Sequence, residues 1–289
     1  MDYQGTIIRP PNEGDSILLQ VATGCSHNKC TFCGAYKGER FSIKDRETVE
    51  RDVDFAARHC RALRRVFLCG GDSLVLPKAR LLEILALIRR RLPWVTRTGA
   101  YGSAKALAMK SDSELLELRQ AGLGVVYMGL ESGHDATLAH VRKWGDAARI
   151  VAQGRRVREA GMRLNVTVLL GLAGAEGSLE HARCTGEALT AMDPDYVGAL
   201  TLMLMPNTPL FAEAERGEFE LPDAQGMLVE LRTILEHTHL TRGQFLCNHA
   251  SNYLPLKIRL PGGKAAALTA IDAALGGSLP LRQQWQRRL

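Results

Sequence analysis

Short apolar runs of strand length alternate with segments whose apolar positions recur at helical spacing. ILLQVATG at 17–24 predicts a first strand that ends against Cys25. A helix is expected over about 46–60, where Val49, Val53 and Ala56 share a face. RVFLCG at 65–70 predicts the second strand. The helix after it, 77–91, has Pro77 in its first turn, where a missing N–H is tolerated. A third strand lies near 96–102, and the helix 112–121 starts at Ser111 or Asp112 and stops at Gly122. Then come strand 124–130, helix 146–160 ending at Gly161, strand 163–172, helix 178–192 and strand 195–204. After Pro206 the alternation weakens into helices at 223–239 and 264–275 around an irregular stretch, 244–263.

Six strand–helix units predict an α/β fold with a parallel sheet covered by helices. Right-handed crossovers curl such a sheet, and six units fall short of the eight of a closed barrel. The expectation is a partial (β/α)6 barrel over 17–212, an N-terminal extension over 1–16 and a helical or irregular C-terminal extension over 213–289 that caps it. In such folds reactive groups gather at the C-terminal ends of the strands. Cys25, Gly70 to Asp72, Ser103, Glu131 and Gly171 all fall at or just past those ends.

At 289 residues and 46% hydrophobic, the chain suits a large single core. No apolar run is long enough to cross a bilayer, and the first residues lack a signal-peptide stretch, so a cytoplasmic, membrane-free protein is expected. The net charge of +6 is concentrated in part at the end, at Arg282, Arg287 and Arg288. That balance suits an anionic substrate or an acidic electron donor. No basic block with interleaved aromatics points to nucleic acid, although an RNA substrate stays open.

Three of the seven cysteines lie in GCSHNKCTFCGAY, spaced C-x4-C-x2-C as Cys25, Cys30 and Cys33. Thiolates are the expected ligands of iron–sulfur clusters. Three of them leave one iron of a cubane without a protein ligand, and an open metal position is where a ligand binds and reacts. A structural zinc site with His27 as fourth ligand, and a fully protein-held cluster using a distant thiol such as Cys69, are the alternatives. Cys60, Cys69, Cys184 and Cys247, scattered singly, read as small buried hydrophobes.

With these motifs in this order, residues 17–210 resemble the radical S-adenosylmethionine (SAM) superfamily, in particular the branch of oxygen-independent coproporphyrinogen III dehydrogenases. The resemblance implies a 4Fe–4S cluster on Cys25, Cys30 and Cys33, with SAM as second cofactor. It implies that Phe32 packs near the SAM adenine, and that Gly70, Gly71 and Asp72 correspond to the Gly-Gly-Glu motif whose backbone meets the SAM amino group. Glu131 falls where the family contacts the SAM ribose or amino end, and Lys143 where a base meets the SAM carboxylate. Ser103 matches a polar position after strand three, and Thr167 and Leu172 match the segment bordering ribose and adenine. PNTPLF at 206–211 resembles the turn after strand six. The chain departs from the family in two places: one extra residue in the first cysteine gap, and Asp72 in place of glutamate.

The resemblance implies reductive cleavage of SAM to a 5′-deoxyadenosyl radical that abstracts hydrogen from a small molecule. It implies a flavodoxin or ferredoxin as electron donor. A tRNA-modifying enzyme and a non-catalytic haem- or cluster-binding carrier are the competing functions. In the C-terminal stretch, His249, Asn252 and Tyr253 are candidate substrate contacts, because long irregular segments in compact domains are often functional. A hydrogen-bonded structural loop is the competing reading.

Overall fold

The computed structural model describes residues 1–288. The elements in chain order are β1 (Ser16–Gln20), β2 (Ala22–Thr23), β3 (Ser42–Ile43), α1 (Arg46–His59), β4 (Arg65–Cys69), α2 (Lys78–Arg91), β5 (Arg97–Tyr101), α3 (Ala104–Ala108), α4 (Asp112–Gln120), β6 (Leu123–Glu131), α5 (Asp135–His140), α6 (Ala147–Glu159), β7 (Arg163–Leu170), α7 (Gly174–Met192), β8 (Tyr196–Thr201), α8 (Pro209–Glu215), α9 (Ala224–His237), β9 (Gly243–Leu246), β10 (Lys257–Leu260) and α10 (Lys264–Leu275). Eight strands form one sheet in the order β1-β4-β5-β6-β7-β8-β9-β10, and β2 pairs with β3 in a separate ribbon. The fold class is therefore the expected α/β one, with the six expected strands present and consecutive in the sheet. Among the described residues no helix is long and apolar enough to cross a membrane.

The chain divides into two compact units. The first holds residues 1–28, 35–128 and 156–164. In it β1, β4, β5 and β6 run parallel, with Leu18 opposite Phe67 and Tyr101 opposite Tyr127. In this unit α1, α2 and α4 start within a residue of where the sequence predicts them, and α3 is an addition. Asp45 caps α1 by accepting from the Thr48 N–H, and Ser111 forms a capping box with Glu114 at α4. Leu18, Phe67, Cys69, Val125 and Tyr127 pack as one buried cluster, joined at its edge by Ile7 and Tyr101. The edge of β1 is overlaid by the N-terminal segment. Gln4 N–H donates to the Gln20 side chain at 2.9 Å, the Gln20 amide donates back to the Gln4 carbonyl at 2.7 Å, and the Tyr3 hydroxyl donates to the Leu18 carbonyl at 2.9 Å.

The second unit holds residues 29–34, 129–155 and 165–288 of those described. Here β7, β8 and β9 are parallel, and β10 returns antiparallel to β9. The stretch 244–263, read from the sequence as irregular, thus contributes two strands to the sheet. Each has only four residues, too short for alternation to declare itself. The polar loop between them remains loop, and it leaves the C-terminal end of β9 on the same side as the ends of β7 and β8.

Candidate active site

The cysteine loop is the connection of the β2–β3 ribbon, where Ala22 faces Ile43 and Thr23 faces Ser42. Cys25, Cys30 and Cys33 form no disulfide, and all three are half-buried. Asn28 lies within the first gap. It turns the chain through the left-handed region at φ 42°, a conformation that asparagine tolerates better than most residues. Its side-chain amide donates to the Tyr36 carbonyl at 2.8 Å, and the Lys37 ammonium donates to the Asn28 carbonyl at 3.0 Å.

The Cys25 end of the loop is fitted against the turn after β4. Gly71 N–H donates to the Gly24 carbonyl at 2.9 Å. A Cβ on Gly71 would come within 2.6 Å of that carbonyl and 2.8 Å of the Cys25 Cα, so only glycine allows the approach. Gly70, at φ 117°, has the same character against Ala22. Asp72 is fully buried, and both its oxygens are occupied. It accepts from the Ser26 hydroxyl at 2.7 Å, from the Ser103 hydroxyl at 2.7 Å and from the Ser103 N–H at 3.0 Å. Ser103 in turn caps α3 by accepting from Ala106 N–H. Asp72 and Ser103 therefore brace the residue that follows Cys25, and Ser26 is a member of the site that its neutral, common residue type kept hidden in the sequence.

The Cys30 and Cys33 end is stitched elsewhere. Thr31 N–H donates to the Val141 carbonyl and the Thr31 carbonyl accepts from Leu210 N–H, each at 3.0 Å. Asn207, in the PNTPLF turn, donates to the Gly34 carbonyl at 2.9 Å. Phe32 packs against the cluster of Val141, Leu172, Leu202, Leu210 and Phe219. Leu172 is thus part of the core on which Phe32 rests. Thr167 lies on the half-exposed face of β7, opposite Gly198.

Glu131 ends β6 with φ 66°, a left-handed conformation that costs a non-glycine residue about 1–2 kcal/mol. Its carboxylate accepts from the Lys143 ammonium at 2.9 Å, and both side chains are nearly covered. Burial by itself favours a neutral lysine. The Glu131 carboxylate beside it, together with Cys30 and Cys33, outweighs burial and holds the Lys143 pKa above its ordinary value. Gly129 makes room for the pair, because a Cβ there would collide with the Glu131 carboxylate and lie 2.9 Å from Lys143 Nζ.

In the C-terminal loop, Asn252 is buried, accepting from the Thr201 hydroxyl at 2.9 Å and donating to the Ala199 carbonyl at 2.8 Å. His249 Nδ1 lies 2.9 Å from the Ser251 hydroxyl and accepts from the Ser251 N–H; burial and then Arg282 hold its pKa below the ordinary value. Tyr253 carries the Arg287 guanidinium 3.9 Å over its ring. These three residues order the loop beyond β8 and β9.

Three thiols on one loop are the donor type that an iron–sulfur cluster takes, one on each of three irons.

A family model described as the Radical SAM superfamily matches residues 19–176. Among solved structures, the radical SAM methyltransferase TsrM of Kitasatospora setae, with cobalamin and a [4Fe-4S] cluster bound, is 21% identical. It gives a TM-score of 0.56 over 69% of this chain and 39% of its own. Coproporphyrinogen III oxidase (HemN) from Escherichia coli, a radical SAM enzyme, is 18% identical, TM-score 0.54, over 76% and 51%. Methylornithine synthase (PylB) is 18% identical, TM-score 0.53, over 78% and 65%. At these identities the structures establish a shared fold, and this chain spans less than two thirds of each. No curated protein matches the chain.

Proposed function

From its membership of the radical SAM superfamily, with a 4Fe–4S cluster and SAM as cofactors, we propose that this enzyme makes a 5′-deoxyadenosyl radical to take hydrogen from a small molecule. The observation that carries this is the C-x4-C-x2-C loop inside the matched region, with three cysteines in no disulfide and no fourth cysteine on the loop. When bound, the cluster and SAM supply the one-electron cleavage of a sulfonium carbon–sulfur bond.

The chain's own residues hold and orient. Cys25, Cys30 and Cys33 are the cluster ligands, and the Asp72 brace through Ser26 fixes the first of them. The bare backbone at Gly70 and Gly71 suits the SAM amino group. Because Asp72 is committed to Ser26 and Ser103, that contact falls to main-chain atoms. Lys143 pairs with the SAM carboxylate and Glu131 with the amino or ribose end; both are poised in low-dielectric surroundings where charge pairing is strong. Phe32 and Leu172 form the apolar side. A flavodoxin- or ferredoxin-type donor, acidic against a chain of net charge +6, supplies the electron.

The test is anaerobic reconstitution with iron and sulfide, followed by dithionite and SAM, reading 5′-deoxyadenosine by mass spectrometry. Formation of the nucleoside by the wild type, with its loss in Cys25→Ala, Cys30→Ala and Cys33→Ala, is the expected result. Full iron content in all three variants, or no nucleoside from a loaded wild type, would refute the reading.

A further inference from the structure

The second unit contains a polar network, fully buried, that the proposed chemistry does not use. Ser132, His181, Thr185 and Glu230 are each 0% exposed. His181 Nδ1 lies 2.7 Å from the Ser132 hydroxyl. His181 Nε2 faces the Leu169 carbonyl at 3.1 Å and Glu230 Oε1 at 3.3 Å. Those are acceptors only, so Nε2 carries the proton and Nδ1 accepts from Ser132. Ser132 Oγ accepts from His134 N–H and the Thr185 hydroxyl accepts from Gly133 N–H, each at 2.9 Å. Glu230 accepts from Gly171 N–H at 2.6 Å and from the Ser178 hydroxyl at 2.5 Å.

Serine, histidine and glutamate here follow the order of a hydrolytic relay, but no substrate reaches a serine with no exposed surface. The partners show what the network does instead. It satisfies the main-chain N–H groups of two turns: Gly133 and His134, two and three residues after Glu131, and Gly171 immediately before Leu172. Glu131 sits in a strained left-handed conformation, and such strain persists only when the surroundings over-determine it. Gly133 is fitted so closely against α7 that a Cβ would strike the Cys184 carbonyl. α7 therefore presents Ser178, His181 and Thr185 on its buried face as a template for the turn.

We propose that His181, acting through Ser132 and anchored by Glu230, is a positioning residue that sets the Glu131 carboxylate toward Lys143 for SAM. The inference rests on the SAM-binding role of Glu131 given above. Its first readout needs no cofactor: in the cluster-free protein, hydrogen exchange of the amides at 131–134 quickens about tenfold or more in Ser132→Ala and Thr185→Val, since each frees one of these N–H groups. The second is SAM affinity of the reconstituted protein. Ser132→Ala raises Kd about fivefold, the affinity equivalent of one lost hydrogen bond, with iron content unchanged. His181→Gln, which offers an acceptor and a donor, stays closer to wild type than His181→Leu.

Leu189→Ala on the same helix, a purely apolar core change, is the control for lost stability. It leaves SAM affinity unchanged. Equal weakening of SAM binding by Leu189→Ala and Ser132→Ala, or unaltered exchange at 131–134 in Ser132→Ala, would overturn the proposal. If the wild type binds no SAM at all, the functional reading fails, and the exchange result still decides whether His181 and Ser132 hold the turn.

Discussion

Two side chains that the sequence marks as candidates have their roles set by their immediate neighbours. Asp72 stands where the resemblance puts a glutamate. It is one methylene shorter, yet its carboxylate is saturated by Ser26 and Ser103. The motif was legible, and its partners were not, because serines are too common to signal anything alone. Replacing Asp72 by alanine leaves buried donors without acceptors, so stability of the cluster-free protein falls by about 1–3 kcal/mol, measured by urea unfolding. Glu131 and Lys143, twelve residues apart, do form a pair at 2.9 Å. Gly129 is the unforeseen third member. In Gly129→Ala the new methyl occupies space used by the carboxylate, an overpacking that costs about 1–3 kcal/mol. The expected outcome is a lower urea midpoint together with weaker SAM binding. A variant that matches wild type in both would show that the pair can shift without loss.

At the scale of elements, long periodic segments were readable. α1, α4 and α10 fall within a residue of their expected limits, because caps such as Asp45 and Ser111 and stops such as Gly122 are local signals. Short elements were not readable. β2 and β3 have two residues each, and their pairing is fixed by chain segments twenty residues apart. β7 ends at Leu170, where Gly171 turns at φ 82°, and α7 begins at Gly174, four residues before its expected start. In the cysteine loop, Asn28 within the longer first gap turns at φ 42°, with its amide tied to Tyr36, so it is the position expected to accommodate the extra residue. Valine at this position meets the full steric cost of the left-handed region and loses the bond, whereas glycine loses the bond alone. Asn28→Val is therefore expected to unfold about 1–2 kcal/mol more easily than Asn28→Gly and to take up less iron on reconstitution. Equal iron content in the two variants would place the accommodation elsewhere in the loop.

Over the whole molecule, the alternation of strands and helices carried the fold class, since burying a parallel sheet under helices is a global demand written at every turn of the chain. The buried polar template on α7 was the least visible feature. Ser178, His181 and Thr185 share a helical face with Ala182, Leu189 and Met192, and a polar stripe on a buried face was the available signal. The seven cysteines give a test that spans the chain. Three sit half-buried on one loop, while Cys69 and Cys247 have no exposed surface. Burial pushes both of these thiols up to about 12, first by denying the thiolate its water. Because the thiolate is the nucleophile, a group titrating that high is almost wholly protonated at neutral pH and also out of reach of reagent. Brief alkylation of the native, cluster-free protein with iodoacetamide, read by peptide mass spectrometry, should therefore mark Cys25, Cys30 and Cys33 while leaving Cys69 and Cys247 unmodified until denaturant is added. With the cluster assembled, the loop thiols should become protected too, so that labelling there falls in step with iron content. Early labelling of Cys69 would show that the N-terminal segment over β1, where Tyr3 and Gln4 bond to Leu18 and Gln20, lifts away in solution.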